Sequence, residues 1–354
     1  MYSVPSSLKT VIAAAKTRAN HRLNPTGNLR TGASRVKALA IDFGGSHATC
    51  GLVEDRTLLL SETIDIDRAR SLASVLPAVA DTFLDLARRQ SLALKDFSGV
   101  AAGFAGLVDS RIGRITATNG KYEDATAIDL DAWSRKTLGL PLRIENDARM
   151  ALLGESFTGA ASGFTDVVMI TLGTGIGGVA MIEGKLLRGK HAQAGCLGGH
   201  LPVLFTGRTC TCGAIGCAEA EASGWCLPLV VKDWPGVTHS ALSKYNEVGF
   251  KELFEESARG DSVAIAIRAR CLNVWAANAV GLVHSFDPEI IVIGGGVMKS
   301  ANVIIPYIEE YVQKYAWTPW GKVQVRAAAL GNSAALLGAV PLLSETETLH
   351  RQLS

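Results

Sequence analysis

The chain has 354 residues, of which 48% are hydrophobic and 19% are charged, and it is large enough to form two lobes of ordinary size. Its start lacks the compact apolar core and cleavage site of a secretory signal, and its apolar stretches are interrupted by glycine, arginine, asparagine or aspartate within about 18 residues. The composition therefore argues against a secreted or membrane-spanning protein, and we expect a cytoplasmic one.

Basic residues are concentrated at the start of the chain, because no acidic residue precedes Asp42. We interpret residues 1–36 as a basic, flexible arm on a mildly acidic body. A basic arm of this kind can instead bind nucleic acid or act as an organellar transit peptide, and both alternatives stay open. We expect neither a nucleic-acid partner nor a membrane partner.

The first half of the chain predicts a strand–turn–strand unit followed by helices and strands. An apolar run at 36–42 leads into a glycine turn, and a second apolar run at 49–53 predicts the returning strand. The elements that follow are a helix at 69–90, strands near 98–103 and at 142–145, and a helix at 148–157.

The second half opens with the same device, a strand at 166–172, a glycine-rich turn and a returning strand at 179–184. A long buried helix at 262–286, a strand at 289–293, and helices around 300–315 and 332–342 follow. The repeated start predicts an α/β protein of two lobes with a cleft between them. We assign 38–148, completed by a C-terminal helix at about 332–354, to a small lobe and 149–331 to a larger one.

Three glycine-rich turns at strand ends are candidate nucleotide contacts. Glycines let backbone N–H groups approach a phosphate, and a carboxylate beside them can hold Mg²⁺ through water. Each turn alone fits an ordinary hairpin, and none matches the Walker or dinucleotide motifs. The candidates are Asp42, Gly44, Gly45 and Ser46 at the first turn, Thr171, Gly173, Thr174, Gly175 and Gly177 at the second, and Gly294, Gly295 and Gly296 at the third.

Asn146 and Asp147 stand where the short strand at 142–145 meets the next helix. Phosphoryl transfer needs a base that positions and deprotonates the acceptor hydroxyl, and Asp147 can serve as that base while Asn146 fixes a neighbouring hydroxyl. The alternative is an Asn-Asp helix cap, and Asp147 can cap and catalyse at once.

Three of the seven cysteines lie within eight residues in C-x-C-x4-C spacing, and a histidine precedes them by ten residues. An odd number of cysteines argues against a disulfide framework, whereas three thiolates and one imidazole form a closed tetrahedral set typical of structural Zn²⁺. The alternative is three free cysteines. The predicted ligands are His200, Cys210, Cys212 and Cys217, in an insert at 200–217.

Two glutamates follow the predicted metal ligands. A rigid metal loop can hold Glu219 at the cleft, where its carboxylate would accept a polyol hydroxyl, and we expect Glu221 to be solvated. The remaining cysteines are predicted to be small apolar core residues: Cys50, Cys196, Cys226 and Cys271.

These motifs, in this order, resemble the ROK family of bacterial sugar kinases and related repressors over about residues 38 to 342. The most specific match is CTCGAIGCAEAEAS at 210–223. The runs IDFGGS and LGTGIGG resemble the family's two phosphate motifs, IGGGV resembles its adenosine motif, and GFAGLVD at 103–109 resembles a further family stretch.

The resemblance implies an actin-like ATPase (ribonuclease H-like) fold with an interlobe cleft. It implies a kinase that uses ATP and Mg²⁺ to phosphorylate a hexose or hexose derivative, N-acetylated amino sugars included, and that forms a homodimer or a dimer of dimers. Asp147 would be the general base, and a zinc-bound His200 would turn its other ring nitrogen to the sugar. The implied sugar contacts are Gly106, Asn119, Asn146, Asp147, His200 and Glu219.

Three departures from the family pattern bear on the substrate. Leu197 stands where the family kinases usually have a sugar-binding glutamate, Ser46 replaces a threonine, and the stretch after Asn119 lacks a common tryptophan. An unusual sugar or a weakened activity would follow. A sugar-responsive transcriptional regulator and a non-catalytic sugar-binding protein are the alternative functions, although the segment before the first strand is too short for a winged DNA-binding domain.

Overall fold

Two five-stranded sheets with the same strand order organise the protein in its computed structural model, which describes residues 35–44, 47–66, 71–118 and 120–345. The first sheet has the order β3-β2-β1-β4-β7 and the second the order β10-β9-β8-β11-β12. In each, an antiparallel three-stranded meander is extended by two parallel strands. The repeated strand–turn–strand start predicted from the sequence is therefore confirmed, whereas nearly all of the predicted basic arm lies outside the described residues.

The predicted strands agree with the observed ones to within three residues, whereas β3, β5, β6, β10 and β12 were not predicted. The strands are β1 (Lys37–Phe43), β2 (His47–Glu54), β3 (Thr57–Asp65), β4 (Val100–Phe104), β5 (Leu107–Asp109), β6 (Arg114–Ala117), β7 (Leu142–Asn146), β8 (Val167–Leu172), β9 (Ile176–Ile182), β10 (Lys185–Leu186), β11 (Ile290–Gly294) and β12 (Gln324–Ala327), with β5 and β6 forming a separate hairpin.

The α-helices of the described residues fall between and after these strands. They are α1 (Leu72–Arg89), α2 (Leu130–Leu138), α3 (Asp147–Thr158), α4 (Ala218–Ala222), α5 (Leu227–Lys232), α6 (Phe250–Ala258), α7 (Ser262–Phe286), α8 (Ala301–Tyr315) and α9 (Ala334–Leu337). The helix predicted at 332–342 is wrong in detail, because a 3₁₀ turn at Gly331–Ser333 precedes α9 and Gly338 separates it from a helical stretch at 339–345.

The strands alternate between two cores, as side chains on opposite faces of a sheet must. On β1, Leu39, Ile41 and Phe43 pack against α1 and α2, while the intervening alanines face a core shared by both sheets. The shared core is filled by α3 and α9. These two helices touch through glycines: a Cβ on Gly154 would lie 2.0 Å from the Ala334 carbonyl oxygen.

Helix α7 occupies the core on the other side of the second sheet, where Ile267, Leu272, Trp275 and Leu282 are buried. By length and composition alone this helix could also cross a membrane. In the fold it is a core helix that packs on α6 and α8 and against β8. The long buried helix predicted at 262–286 is thus confirmed.

Candidate active site and metal centre

The two candidate carboxylates lie at the same edge of the first sheet. Asp42 is at the end of β1, Asp147 directly follows β7, and β4 lies parallel between them. Gly103 of β4 separates the two, and a Cβ there would lie 3.4 Å from Asp42 Oδ1 and 3.5 Å from Asp147 Cα. Because the carboxyl ends of parallel strands meet at one edge, and because glycine adds no side chain, both carboxylates reach the same space.

The pair has an electrostatic character that suits a cation. Oδ1 of Asp42 is buried and has no hydrogen-bond partner among the described residues. Burial, with a contribution from the Asp147 charge, raises the pKa of Asp42 to about 7, and burial raises the pKa of Asp147 to about 6. A divalent cation near Asp42 would satisfy the orphaned oxygen and favour the ionised form of both groups, so the site fits Mg²⁺.

Asn146, and not Asp147, caps helix α3. The Asn146 side chain accepts a hydrogen bond from Arg149 N at 3.2 Å, while its Nδ2 donates to Asp147 Oδ1 at 2.9 Å. Ala148 N also donates to that oxygen, at 2.8 Å. The predicted Asn-Asp helix cap is therefore confirmed at Asn146, whereas the prediction that Asp147 itself caps the helix is wrong. Its Oδ1 is held by two donors, which leaves Oδ2 as the oxygen to accept a proton.

The glycine-rich turns of the second sheet form the opposite wall. At the end of β11, Gly295 has φ +95°, and a Cβ on it would lie 2.2 Å from the Leu172 carbonyl oxygen, so only glycine fits this approach to β8. Gly175 lies against Glu219, because its Cβ would come within 2.7 Å of Glu219 Oε2. Both turns are therefore close-packed at these two glycines, while Gly173 and Gly296 have open space beside them, and all four glycines line the cavity.

A single cavity of about 760 Å³ collects most of the predicted site, a volume suited to a nucleotide and a small second substrate. Of the predicted nucleotide and substrate residues within the described part of the chain, Gly44 alone does not line it, while Gly45, Ser46 and Asn119 lie outside the described residues. The predicted residues lining it are Asp42, Gly106, Asn146, Asp147, Thr171, Gly173, Thr174, Gly175, Gly177, His200, Glu219, Gly294, Gly295 and Gly296.

Sequence reasoning missed several residues that line the cavity. Gly331 and Asn332, at the 3₁₀ turn before α9, lie in it together with Ala335. The Gly-Asn-Ser run before an apolar helix is a helix-start signal that could have drawn attention to this turn. Met169 carried no such signal, because a methionine inside a predicted buried strand looks like an ordinary core residue.

The four predicted metal ligands converge. Their donor atoms all lie within 4.8 Å of one another. Cys212 Sγ is 3.7 Å from Cys217 Sγ, and Cys210 Sγ is 3.4 Å from His200 Nδ1. A tetrahedral zinc with bonds of about 2.3 Å to sulfur and 2.0 Å to nitrogen would give separations of about 3.8 and 3.5 Å, so the donor set fits Zn²⁺. His200 Nδ1 faces the cysteine sulfurs, and the residue also lines the cavity.

The two glutamates after the metal ligands have structural partners. Glu219 Oε2 accepts from Ile176 N at 3.0 Å, which ties the metal loop to the second glycine-rich turn. The prediction that Glu221 is solvated is wrong: the residue is 1% exposed, pairs with Arg270 of α7, and accepts from Arg208 N at 2.5 Å. A helix of five residues wedged between the metal loop and α7 has no solvent face for it.

Cys196 and Leu197, which precede His200 in the chain, give the cavity an apolar wall. Leu197 is 42% exposed and lines the cavity, as does Cys196. The prediction of a buried core cysteine is wrong for Cys196, which is partly exposed, and right for Cys50, Cys226 and Cys271, which are buried.

Comparisons with known proteins agree with this geometry. The family model described as ROK family matches residues 38–346. The glucokinase of Thermotoga maritima is 31% identical over 318 residues, which cover 88% of this chain and 98% of that protein. The xylose repressor of Caldicellulosiruptor bescii is 26% identical over 258 residues, which cover 70% of this chain and 63% of that protein.

A solved structure gives the same picture. The ROK family glucokinase from Streptomyces griseus, in complex with glucose and AMPPNP, superimposes with a TM-score of 0.69 at 28% identity and covers 86% of this chain and 98% of that one. The duplicated sheet order and the cavity between the sheets are those of the actin-like ATPase fold. This chain belongs to the ROK family.

Proposed function

We propose that the protein is an ATP-dependent sugar kinase that transfers the γ-phosphoryl group to a hydroxyl of a hexose or hexose derivative. The observation that carries the proposal is the convergence of Asp42, Asp147 and two glycine-rich turns on one cavity. The relatives described above support it, because the Thermotoga maritima protein is a glucokinase and the Streptomyces griseus structure holds a sugar with a non-hydrolysable ATP analogue.

We assign the base to Asp147. Its Oδ2 accepts the proton of the sugar hydroxyl as that oxygen attacks the γ-phosphorus, and Asn146 keeps the carboxylate in place through Oδ1. A pKa of about 6 suits a general base near neutral pH, because the carboxylate is mostly ionised there and is more basic than an ordinary aspartate.

The nucleotide is assigned to the wall formed by the second and third glycine-rich turns. The N–H groups of Gly173 and Ile176 already donate to Gly175 O and Glu219 Oε2, so the other N–H groups of the turn would receive the phosphates. The turn at Gly294–Gly296 with Asn332 would receive the nucleoside. Asp42 would hold Mg²⁺, which neutralises charge on the phosphates when it is bound. We also assign the first turn, with Gly44, Gly45 and Ser46, to nucleotide binding.

The sugar is assigned to the side of the cavity near Gly106, Asn146, His200 and Glu219, and Asn119 belongs to the same proposal. Leu197 offers no hydrogen bond there, and a sugar hydroxyl buried against it without a partner would cost about 1–3 kcal/mol. We therefore expect a derivative that places an apolar group at Leu197, such as the methyl of an acetamido group, to be preferred over glucose.

Zn²⁺ is proposed to hold the metal loop together through His200, Cys210, Cys212 and Cys217. A closed set of four ligands leaves no position for substrate, so the ion would orient His200 and Glu219 without taking part in the reaction. We also propose that the two lobes divide at residue 148, that the protein is cytoplasmic, and that it forms a homodimer or a dimer of dimers. Light scattering on the purified protein would measure the oligomeric state.

An ADP-release assay across glucose, mannose, N-acetylglucosamine and N-acetylmannosamine tests the function. Activity on at least one sugar that requires ATP and Mg²⁺ is expected. If the wild type turned over none of them yet bound a sugar by calorimetry, the non-catalytic alternative would replace the kinase. DNA retardation that depends on salt and is lost on removal of residues 1–36 would favour the regulator.

A further inference from the structure

Arg149 is a fully buried charged side chain two residues after the proposed base. It lies on α3, is 0% exposed, and has no role in the mechanism derived above. A buried guanidinium is costly unless its N–H groups find acceptors, and among the described residues the acceptors of Arg149 are all bound by Nη1 and Nη2, while Nε has none. The identity of its acceptors therefore indicates what the residue does.

Three of its acceptors are backbone carbonyls of one loop. Arg149 Nη1 donates to Ala192 O at 3.0 Å, and Nη2 donates to Leu187 O at 3.1 Å and to Ala194 O at 2.7 Å. These residues belong to the segment 187–196, which connects β10 to the 3₁₀ helix Gly198–His200. We call this segment the cleft loop, because it ends in Cys196, which lines the cavity.

A neighbouring carboxylate, the buried Glu145, balances the charge of Arg149 but does not explain its contacts with the loop. Arg149 also donates to Glu145 Oε1, but at 3.3 Å this is the longest of its four hydrogen bonds. Glu145 has a better partner in Arg188, whose Nε donates to Oε2 at 2.7 Å, and Arg188 in turn pairs with Glu345. The short, well-made contacts of Arg149 are those to the loop.

The cleft loop has a conformation that needs such support. Gly189, Ala192 and Gly195 all have positive φ, at 65°, 57° and 66°, and Ala192 is not a glycine. A left-handed alanine costs free energy, and the loop's own backbone hydrogen bonds are few, with Ala194 N to Arg188 O at 3.1 Å and Cys196 N to Gln193 O at 3.4 Å. The guanidinium of Arg149 thus donates hydrogen bonds to three backbone carbonyls and holds the strained cleft loop at three points.

We propose that Arg149 is a positioning residue that couples the helix of the proposed base to the sugar side of the cavity by clamping the cleft loop. The inference rests on the proposed kinase function for its kinetic consequence, but the clamp itself does not. When Arg149 holds the loop, Cys196, Leu197 and His200 are presented to the cavity at a fixed distance from the start of α3. When it does not, the sugar wall is free to shift while the glycine-rich turns of the nucleotide side stay in place.

Three variants of Arg149 test the proposal, with Arg326→Met as the matched control. Arg149→Met removes every donor, and Arg149→Lys keeps the charge but loses the planar fork that reaches three carbonyls. Arg326 lies on β12, its Nη1 donates to the backbone carbonyl of Ala160 at 3.2 Å, and it does not line the cavity. Steady-state kinetics use whichever sugar of the four-sugar screen the wild type turns over fastest.

The expected result is a selective rise in the sugar KM. Arg149→Met should raise it at least tenfold and Arg149→Lys by a smaller factor, while the ATP KM stays within about twofold and Arg326→Met changes neither. Guanidinium ion added to Arg149→Ala should lower the sugar KM again, which a general loss of stability would not allow. Equal rises in both KM values, or no rescue, would overturn the proposal.

Amide hydrogen exchange separates the clamp from the kinase function. Peptides covering 187–197 should exchange at least tenfold faster in Arg149→Lys than in the wild type, while peptides covering 171–178 should be unchanged. This readout needs no substrate, so it stands even if no sugar is phosphorylated. Unchanged exchange at 187–197 in a folded variant would refute the clamp whatever the kinetics show.

Discussion

Replacement of Asp147 by asparagine separates catalysis from stability, because the structure predicts opposite effects on the two. Asp147→Asn keeps the size of the side chain and its hydrogen-bonding position beside Asn146 and Ala148. It removes the ability to accept a proton. Loss of a general base typically costs 10²–10⁴-fold, so we expect kcat to fall by about that factor while the sugar KM changes little.

The stability effect follows from the pKa. Folding raises the pKa of Asp147 from 3.8 to about 6, so the folded state binds this proton more tightly than the unfolded state does. The contribution of the residue to stability is therefore fully present below about pH 4 and is lost as pH rises through 6. A difference of about 2 pKa units corresponds to about 3 kcal/mol, and because the side chain is partly open to the cavity we expect about 1–3 kcal/mol.

The variant should consequently be more stable than the wild type at pH 8, and the advantage should shrink as the pH approaches 4. Thermal unfolding of metal-free, nucleotide-free protein at pH 5 and pH 8, together with ADP release at pH 8, measures both effects. Asp85→Asn is the matched control: Asp85 is held by Arg88 and Arg89, which keeps its pKa below the usual value, so the control should lose a little stability and no activity. An Asp147→Asn protein with full kcat, or one less stable than the wild type at pH 8, would refute the reasoning.

Three further predictions concern the cation, the metal loop and the third turn. Asp42→Asn should raise the Mg²⁺ concentration needed for half-maximal rate at least tenfold, and a Mg²⁺ titration unchanged from the wild type would contradict the assignment of Mg²⁺ to Asp42. Since burial and Asp147 raise the pKa of Asp42 to about 7, the metal-free variant should also gain more stability over the wild type at pH 8 than at pH 5. Cys217→Ser should lower the zinc content measured by elemental analysis to well below one ion per chain and lower the Tm, whereas Cys50→Ala, a buried cysteine outside the cluster, should keep one ion; equal zinc in both would exclude the proposed ligand set. Gly295→Ala should destabilise the fold by about 1–3 kcal/mol and weaken AMPPNP binding in calorimetry, because its Cβ would meet the Leu172 carbonyl at 2.2 Å, while the neighbouring Gly296→Ala, with nothing within 4 Å, should unfold like the wild type; equal Tm values for the two would contradict the packing.

Features set by local sequence were predictable. The strand β1 alternates large apolar residues with alanines, and both strand–turn–strand units follow from apolar runs on either side of glycines. The metal ligands were predictable for the same reason, because three cysteines within eight residues and a nearby histidine lie close together in space. The position of Asp147 at a strand end followed from the boundary between β7 and α3.

Features set by contacts distant in sequence were not predictable. Arg149 lies in a run whose pattern predicts an ordinary helix, and its partners in the cleft loop are backbone carbonyls about 40 residues away, which carry no sequence signal. Asn332 reaches the cavity only because α9 returns to pack on α3. Glu221 was assigned to solvent because a polar residue in a short helix usually faces water, but Arg270 lies 49 residues further along the chain.

The metal loop connects to both sides of the cavity, and this bears on what zinc does here. Glu219 bonds Ile176 N of the nucleotide-side turn, and Glu221 pairs with Arg270 of the core helix α7. His200, three residues after Leu197, turns from the loop toward the sugar side. Since one short segment touches the turn proposed for the phosphates, the wall proposed for the sugar and the main core helix, a shift of that segment cannot remain local. An ion bound by four of its residues would therefore constrain the segment on both sides of the cavity, and the buried Glu221–Arg270 pair would limit how far the loop moves without the ion.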